Sequence, residues 1–303
     1  LTGNVGIPGG WASGIAFQAP DWGPLWTVIP SGTNSVEASI PVFLWTEAVA
    51  RGTEMGPEDG LVGADKLNNN IKLIYAIASN LLVDQHANIN RTVELLKDES
   101  KVEFIISQDH FMTASAKFAD IILPASTAFE VYGIEDGWKY GDEVILMPQL
   151  VEPAFETKSD YQICADIAAK MGVGDEYTEG GRTERDWVAW IVEQYQASRF
   201  PECPSLDEFE ASNIGVYAVP VDEPAVAFAD FRADPEANPL DTPTGKIEIF
   251  SKGLYDMGNP DEIPALPKYI QEWESPFGPE AESYPLQAMG LRYWHRVHTT
   301  HDN

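Results

Sequence analysis

The sequence predicts an α/β protein built on a parallel, doubly wound (Rossmann-like) nucleotide-binding sheet, with added irregular and short β regions. Apolar runs of strand length recur at 71–78, 102–107 and 120–124. Segments with helical patterning separate these runs, and strands connected in this way pair in parallel through right-handed crossovers. The 24 glycines and 22 prolines among 303 residues also suit a loop-rich α/β protein better than a helical bundle.

The first part of the predicted sheet is a strand, a loop and a helix. IKLIYAIA (71–78) is mostly apolar, which is typical of a strand buried on both faces of a parallel sheet. SNLLVDQHAN (79–88) is interpreted as a loop. INRTVELLKDE (89–99) predicts a helix, because its apolar residues recur near helical spacing at Ile89, Val93, Leu95 and Leu96.

The second part of the sheet follows directly. VEFIIS (102–107) predicts the second strand, HFMTASAKFA (110–119) predicts a short helix, and DIILP (120–124) predicts a third strand that ends at Pro124. Ligands of open parallel sheets bind outside the carboxyl ends of the strands. The polar residues at 79–80 and at 108–109 follow two adjacent strands, so we expect them to lie near a ligand.

Outside this sheet the sequence predicts six further elements from capping residues and periodicity. Three of them are helices: one at 40–52 that ends at Gly52, one at 159–172 with a serine cap and a glycine stop, and one at 183–198 that is capped by Thr183. The last of these helices has Trp187, Trp190, Ile191 and Tyr195 on one face. The other three are short β structure around Val144 and Leu146, a strand at 245–251 and a strand-like element at 284–295.

The predicted elements divide the chain into five segments. The sequence has no initiator methionine and no signal-peptide pattern, so we expect it to be an internal fragment of a longer protein. The segments are 1–64, the Gly/Pro-rich tail of an upstream domain; 65–155, an α/β dinucleotide-binding half-domain; 156–252, a helical and mixed segment; 253–283, an acidic Pro-rich linker; and 284–303, the start of a C-terminal domain.

Composition excludes several classes of partner. The chain has 19 Lys and Arg against 48 Asp and Glu, a net charge of −29, which argues against sequence-independent binding to nucleic acid or to anionic lipid. No apolar run approaches the ~20 residues that a membrane-spanning helix needs. The two cysteines, Cys164 and Cys203, are too few for a four-cysteine metal cluster.

Asp109 has two interpretations from its position alone. A carboxylate at a strand end accepts two N–H bonds from one edge of a ligand, and guanine offers such an edge with its ring N–H and exocyclic amine. Thr113 follows one helical turn later and would face the same place. Alternatively, Asp109 is the N-cap of a helix that begins at His110.

Two common nucleotide-binding motifs are absent from the sequence. The chain has neither GxGxxG nor GxxxxGK[ST], so neither a standard NAD site nor a P-loop is supported. Glu130, after the third strand, either caps the sheet edge through a backbone N–H or contacts a ligand.

Long stretches of the chain resemble one family. SNLLVDQHANINRTVELLKDESKVEFIISQDHFMTASAKFADIILPASTAFE (79–130) is similar to the molybdopterin oxidoreductases of the dimethyl sulfoxide reductase family, and within it to the anaerobic dimethyl sulfoxide reductases. Further matches are LTGNVGIPGG at the start, TEGGRTERDW (178–187), FRADPEANPLDTPTGKIEIFS (231–251) and YPLQAMGLRYWHRVHTTHDN (284–303). These matches occur in the same order from end to end.

The resemblance implies a molybdenum ion held by two molybdopterin guanine dinucleotides, one of them bound by 79–130. Asp109 matches the aspartate that reads a guanine, Thr113 lies near it, and Gln108 completes the strand end. Residues that match the loop beside the dinucleotide phosphates and sugars are Ser79, Asn80, Gln85, Asn88 and Asn90. Residues that match the start of a C-terminal domain contacting the pterins are His298, Thr299 and Asn303.

The resemblance also implies parts that this chain lacks. Cysteines for a [4Fe–4S] cluster and the residue that ligates molybdenum would lie upstream, so no catalytic residue is assigned and the fragment alone is expected to be inactive. The parent protein would be a catalytic subunit that reduces an S-oxide, an N-oxide or a related acceptor by oxygen-atom transfer in bacterial anaerobic respiration. Its partners would be an iron–sulfur electron-transfer subunit and a membrane anchor, at the periplasmic or extracytoplasmic face of the cytoplasmic membrane.

Two other functions remain open from the sequence. His295, His298 and His301 form H-x2-H-x2-H, which would suit a zinc site if the segment were helical. Alternatively, the acidic, Trp-rich chain is a non-catalytic binding module.

Overall fold

The structure is a computed structural model, and it describes residue 30 and residues 32–86, 88–136, 143–198, 201–212, 214–218, 228–272 and 274–290. The chain divides into two compact units. The larger unit comprises 19–223 with 295–303, and the smaller comprises 1–18 with 224–294. The described helices include none that is long and apolar enough to cross a membrane.

The predicted parallel sheet is confirmed. Strands β1 (Leu73–Ile77), β2 (Phe104–Asp109) and β3 (Ile121–Pro124) pair in parallel in the order β1-β2-β3. Ile77 pairs with Gln108, and Asp109 pairs with Pro124. All three strands therefore end at the same edge of the sheet.

Three short helices accompany the sheet: α1 (Trp45–Arg51), α2 (Leu81–Asp84) and α3 (Ile89–Lys97). A buried apolar cluster joins them to the strands, and its members are Val49, Leu82, Leu96, Val102 and Ile105. This burial explains why these short helices form, since helices of this length depend on tertiary packing.

Two sequence-based expectations about these segments are wrong. The predicted loop at 79–88 contains α2, because Leu82 is fully buried in the apolar cluster. The predicted helix at 110–119 is only a 3₁₀ turn at Ala116–Phe118, because the side chains of Asp109 and Thr113 bond nearby backbone N–H groups instead.

The α-helix α1 ends at Arg51 with Gly52 as its C-cap residue, as predicted. That glycine keeps right-handed helical angles, φ −52° and ψ −41°, and the chain continues as a 3₁₀ turn over Gly52–Glu54. The helical segment itself is confirmed as a 3₁₀ turn at Val42–Leu44 followed by α1.

The predicted helices after residue 158 are confirmed with their caps. Helix α4 (Asp160–Met171) begins after Ser159, whose hydroxyl accepts a bond from the Gln162 N–H, and ends at Gly172 with φ 81°. A short helix α5 (Gly174–Tyr177) follows. Helix α6 (Glu184–Ser198) begins after Thr183, whose hydroxyl accepts a bond from the Asp186 N–H at 3.3 Å.

The short β structure predicted around Val144 and Leu146 is confirmed, and it belongs to a second, antiparallel sheet. Strands β4 (Gly133–Asp136), β5 (Glu143–Met147) and β6 (Val216–Ala218) pair in the order β4-β5-β6. The apolar face of this sheet packs against α6 and α7 (Leu206–Ala211), and the buried cluster includes Val144, Leu146, Val188, Ile191, Tyr195, Cys203, Leu206 and Phe209.

The described part of the smaller unit has little regular structure. It contains α8 (Ala229–Ala233), α9 (Lys252–Asp256) and a 3₁₀ turn at Pro279–Glu282. The strand predicted at 245–251 is wrong, because alternation alone does not make a strand without a paired neighbour.

The strand-like element predicted at 284–295 is not observed over 284–290, and the rest of it lies outside the described residues. The five predicted segment boundaries remain a prediction.

Replacing Ala78 with glycine should stabilise the protein. Ala78 follows β1 with φ 47°, in the left-handed region that costs an L-residue about 1–2 kcal/mol. Glycine removes this strain but adds about 0.4–1 kcal/mol of unfolded-state entropy, so we expect a net gain of about 0.5–1 kcal/mol. Urea unfolding of the full-length protein measures this change in the free energy of unfolding. Ala76→Gly within β1 is the control and should destabilise; Ala78→Gly with the same loss would contradict the strain.

The ion pair of Glu210 should make stability depend on pH. Hydrogen bonds from Arg185 (Oε2–Nη2, 2.8 Å) and from the Tyr132 hydroxyl lower the pKa of Glu210 to about 2. A depressed carboxylate pKa stabilises the fold above the ordinary value of 4.5, and this stabilisation is lost as the pH falls toward about 2.

The urea midpoints of the wild type and Glu210→Gln should therefore differ more at about pH 7 than at about pH 3. A difference that stays constant across this range would contradict the assigned role of the carboxylate.

Candidate functional site

The candidate site is the edge of the parallel sheet where the three strands end. The Ala78 N–H donates to the Gln108 carbonyl at 2.9 Å, and the Ala125 N–H donates to the Asp109 carbonyl at 3.2 Å. The loops that follow β1, β2 and β3 therefore lie side by side, as the doubly wound arrangement requires.

Asn80 joins the loops that follow β1 and β2 through hydrogen bonds. Its Oδ1 accepts a bond from the Ser115 N–H at 2.9 Å, while Ser115 Oγ accepts one from the Leu82 N–H at 3.1 Å. The Asn80 amide also donates to Asp84. Ser115 is fully buried and Asn80 nearly so. Asn80 thus has a structural role at the predicted location, and its predicted contact with a ligand remains a prediction.

Asp109 is half-buried, and its side chain closes a tight turn. Its Oδ1 accepts a bond from the Phe111 N–H at 3.1 Å. No α-helix begins at His110, so the interpretation of Asp109 as a helix N-cap is wrong; the bond forms an Asx turn. Among the described residues, Oδ2 has no hydrogen-bond partner, so one carboxylate oxygen remains for another donor. The nearby His110 Nδ1 lies 3.1 Å from the Ala125 carbonyl oxygen.

Gln108 and Thr113 are more buried than the sequence suggested. Gln108 is 1% exposed; its Oε1 accepts from the Tyr75 hydroxyl and its Nε2 donates to Asp160 Oδ1. Thr113 is also buried, and its Oγ1 accepts from the Ala116 N–H at 3.1 Å. Since no helix connects Asp109 with Thr113, the expected one-turn alignment of these two side chains is wrong.

The remaining predicted residues of the first loop differ in their surroundings. Ser79 is half-buried directly after Ala78, and Asn90 is exposed in the first turn of α3. Asn88 caps α3, because its Oδ1 accepts from the Arg91 N–H at 3.3 Å. Gln85 Oε1 is buried without a hydrogen-bond partner among the described residues.

His86, beside Gln85, carries a second unpaired buried atom. Its Nε2 is buried and lacks a partner among the described residues, and its ring packs edge-on against Trp45 with ring centroids 5.4 Å apart. The three predicted residues near the C-terminal end, His298, Thr299 and Asn303, lie outside the described residues.

A network of ion pairs joins α1 and α3, which pack against the parallel sheet. Glu47 accepts a bond from Arg51 Nε at 2.8 Å and also binds Arg91 at the start of α3. The bond from Arg51, followed by that from Arg91, lowers the pKa of Glu47. Arg51 Nη2 in turn binds Asp59 at 2.7 Å. These pairs hold the two helices together.

Glu130 bonds backbone N–H groups, as one of its two interpretations predicted. Its carboxylate accepts from the Thr127 N–H at 2.7 Å, from the Thr127 hydroxyl at 2.9 Å and from the Ala154 N–H at 2.8 Å. The bond from the Thr127 backbone is the main cause that lowers the pKa of Glu130. Glu130 thus ties the turn after β3 to the loop that precedes α4.

Sequence reasoning missed two residues at this edge, Ser126 and Asp160. Ser126 had a usable signal, since it is a polar residue directly after a predicted strand, as Asn80 and Asp109 are. Asp160 had none, because contacts between residues distant in sequence bring α4 to the sheet.

No metal centre is found in the part of the chain that the structure describes, where no three His, Cys, Asp or Glu side chains converge. The histidines of the zinc interpretation, His295, His298 and His301, lie beyond that part.

Several named reductases match all or nearly all of this chain. Dimethyl sulfoxide reductase DmsA of Haemophilus influenzae is 42% identical over 314 residues, which are all of this chain and 38% of that protein. Dimethyl sulfoxide reductase DmsA of Escherichia coli is 40% identical with the same coverage. The dimethyl sulfoxide/trimethylamine N-oxide reductase of Cereibacter sphaeroides is 34% identical over 99% of this chain and 38% of its own length. The chain thus spans 38% of the length of these curated relatives.

A solved structure and a family model agree with these relatives. Acetylene hydratase from Pelobacter acetylenicus superposes on 80% of this chain and 28% of its own, with a TM-score of 0.51 and 22% identity, which supports the α/β fold alone. The model of the family described as molybdopterin oxidoreductase matches residues 1–170, more than half of the chain. The chain therefore belongs to the molybdopterin oxidoreductase family.

Proposed function

We propose that this chain is a segment of the catalytic subunit of a molybdenum oxidoreductase, and that its parallel sheet binds the guanine end of a molybdopterin guanine dinucleotide. The observation that carries the proposal is the position of Asp109, at the carboxyl end of the central strand with Oδ2 available. Family membership supports a molybdenum–pterin cofactor. The guanine dinucleotide form is the finer part of the proposal.

Three side chains in the loops after β1 and β3 carry polar atoms that a ligand would pair. Gln85 Oε1, His86 Nε2 and Ser126 Oγ are buried polar atoms without a hydrogen-bond partner among the described residues. Buried polar atoms of native proteins are nearly always paired with protein, water or ligand. Ser126 follows Ala125, whose N–H donates to the Asp109 carbonyl, whereas Gln85 and His86 follow α2 in the loop region after β1. A ligand with donors and acceptors that reaches these loops would pair such atoms.

The chemistry of Asp109 favours guanine over adenine. A carboxylate only accepts hydrogen bonds, and the guanine edge offers two donors, the ring N–H and the exocyclic amine. Adenine places an acceptor in its ring beside the amine, which would oppose the carboxylate. Charge-assisted bonds of this kind are about twice as strong as neutral ones.

The whole protein would reduce an S-oxide, an N-oxide or a related acceptor by oxygen-atom transfer. Two of the relatives are a dimethyl sulfoxide reductase and a dimethyl sulfoxide/trimethylamine N-oxide reductase, which supports this substrate class. When bound, the molybdenum–pterin group supplies the two-electron redox chemistry. The residues of this chain hold and orient the nucleotide portion through the side chains at the sheet edge.

The parent protein would contain further parts that take part in electron transfer. A [4Fe–4S] cluster would be held by cysteines outside this chain, and an iron–sulfur subunit with a membrane anchor would supply electrons at the extracytoplasmic face. The first two relatives, which share the name DmsA, support a catalytic subunit of this kind.

Asp109→Asn in the full-length enzyme tests the guanine site. Asparagine keeps the oxygen that accepts from the Phe111 N–H, so the turn should persist. Its amide group would oppose a guanine donor, at a cost of about 1–3 kcal/mol for each unsatisfied group. We expect a lower guanine content and a lower molybdenum content per protein, measured after acid release of the nucleotide and by elemental analysis. Asp109→Ala should cause an equal or smaller loss of cofactor.

Asp120→Asn is the matched control. Asp120 Oδ2 also accepts a backbone N–H, from Ile105 at 2.7 Å, but it lies at the start of β3, away from the carboxyl edge. This variant should keep the wild-type guanine content. A normal guanine content in Asp109→Asn, together with a lower stability of Asp109→Ala, would refute the guanine assignment. Asp109 would then serve only to form the turn.

A further inference from the structure

The segment 228–290 of the smaller unit carries a dense negative charge. It contains 12 Asp and Glu against 4 Lys and Arg, whereas residues 71–124, which contain the parallel sheet, have 7 against 5. Lys252 Nζ and Asp256 Oδ2 form an ion pair at 2.6 Å, and the described residues of the segment form no other. Most of its carboxylates therefore have no cationic side chain beside them in this segment.

Four exposed glutamates occupy the end of the segment. Glu274 and Glu280 line the same groove, and none of the side chains that line this groove is basic. Glu272 and Glu282 lie two positions outside this pair in the sequence, and all four are exposed. The Tyr284 N–H donates to the Glu280 carbonyl at 2.8 Å, so the chain turns here. Repulsion between like charges opposes this turn.

Apolar burial offsets little of that repulsion. Among the described residues of the segment, only Ser275 is buried. The larger unit, in contrast, contains two buried apolar clusters. Segments with few buried apolar contacts open locally at a low cost in free energy. The large apolar side chains that stay exposed in the segment include Ile249, Tyr255, Met257, Tyr269, Phe277, Leu286 and Met289.

Dissolved cations can supply the stabilisation that the segment lacks. A large net charge destabilises a compact state through self-repulsion. Salt screens this repulsion between exposed charges, because the Debye length falls from about 30 Å at about 0.01 M to about 3 Å at about 1 M ionic strength. The effect is largest where carboxylates are exposed and unpaired, as they are in this segment.

We propose that segment 228–290 is an ionic-strength-sensitive part of the fold. It opens locally in dilute salt, and it becomes ordered when dissolved cations screen its carboxylates. The parallel sheet keeps its order under both conditions, because its buried cluster and nearly balanced charge do not depend on screening. This inference is independent of the proposed nucleotide site, whose residues lie outside the segment.

Two other effects of salt compete with screening. Excluded solutes strengthen apolar burial without screening any charge, and sucrose is such a solute. A discrete metal ion bound by carboxylates would also order the segment. In the part of the chain that the structure describes, however, no three His, Cys, Asp or Glu side chains converge to hold one.

The experiment measures hydrogen–deuterium exchange of the full-length protein by mass spectrometry at low and high KCl. Each rate is normalised to that of the unfolded peptide at the same salt concentration. Peptides from 228–290 should exchange at least about tenfold more slowly at about 1 M KCl than at about 0.01 M. Peptides from 71–124 should change by less than about twofold, since their charges are nearly balanced.

A variant without the four glutamate charges tests the cause. Glu272→Gln, Glu274→Gln, Glu280→Gln and Glu282→Gln together should slow the exchange of 228–290 in dilute salt and reduce its response to KCl. Glutamine keeps the size of each side chain and removes only the charge.

The matched control removes four charges from the larger unit. It combines Glu54→Gln, Glu94→Gln, Glu99→Gln and Glu193→Gln, at positions that are also exposed. This control should leave the salt response of 228–290 unchanged.

Four results would overturn the inference. The first is an exchange rate of 228–290 that does not respond to KCl, and the second is equal protection by sucrose at the same osmotic strength. The third is protection by millimolar MgCl2 but not by KCl, which would indicate a discrete metal site. The fourth is a control variant that reduces the salt response as much as the variant of the segment does.

Discussion

A single buried amide connects the elements on which this structure depends. Gln108 lies at the end of the central strand, and its two hydrogen bonds reach β1 through Tyr75 and α4 through Asp160. An amide in such a position must have both ends paired, since each unpaired buried group costs about 1–3 kcal/mol. The need to satisfy Gln108 therefore fixes how strand and helix meet at the candidate site.

The polar residues of the sheet edge have two different roles. Asn80, Ser115 and Thr113 bond the loops to one another and are buried by that contact. Asp109 retains an oxygen for a further donor. Residues of the first kind make the loops rigid, so that residues of the second kind keep their position before a ligand arrives. Rigid placement of this kind lowers the cost of binding.

The sequence predicted the elements whose signals are local. The three strands follow from uninterrupted apolar runs, and α4 follows from Ser159 and Gly172, which cap its two ends. The short helix predicted at 110–119 does not form, because the side chains of Asp109 and Thr113 bond the local backbone and so compete with helix formation. The strand predicted at 245–251 does not form, because a strand also needs a neighbouring strand to pair with, and an alternating sequence does not reveal one. Asp160 at the sheet edge could not be predicted, since only the fold brings α4 to β3.

The Asx turn at Asp109 has a consequence for how the ligand preference of this edge changes in evolution. The turn needs one oxygen that accepts from the Phe111 N–H, and asparagine provides such an oxygen as aspartate does. Backbone course and charge are thus specified by separate atoms of one side chain. A single substitution is therefore able to exchange the charge offered to a ligand while the loop keeps its path, so recognition at this edge can drift without a cost to folding.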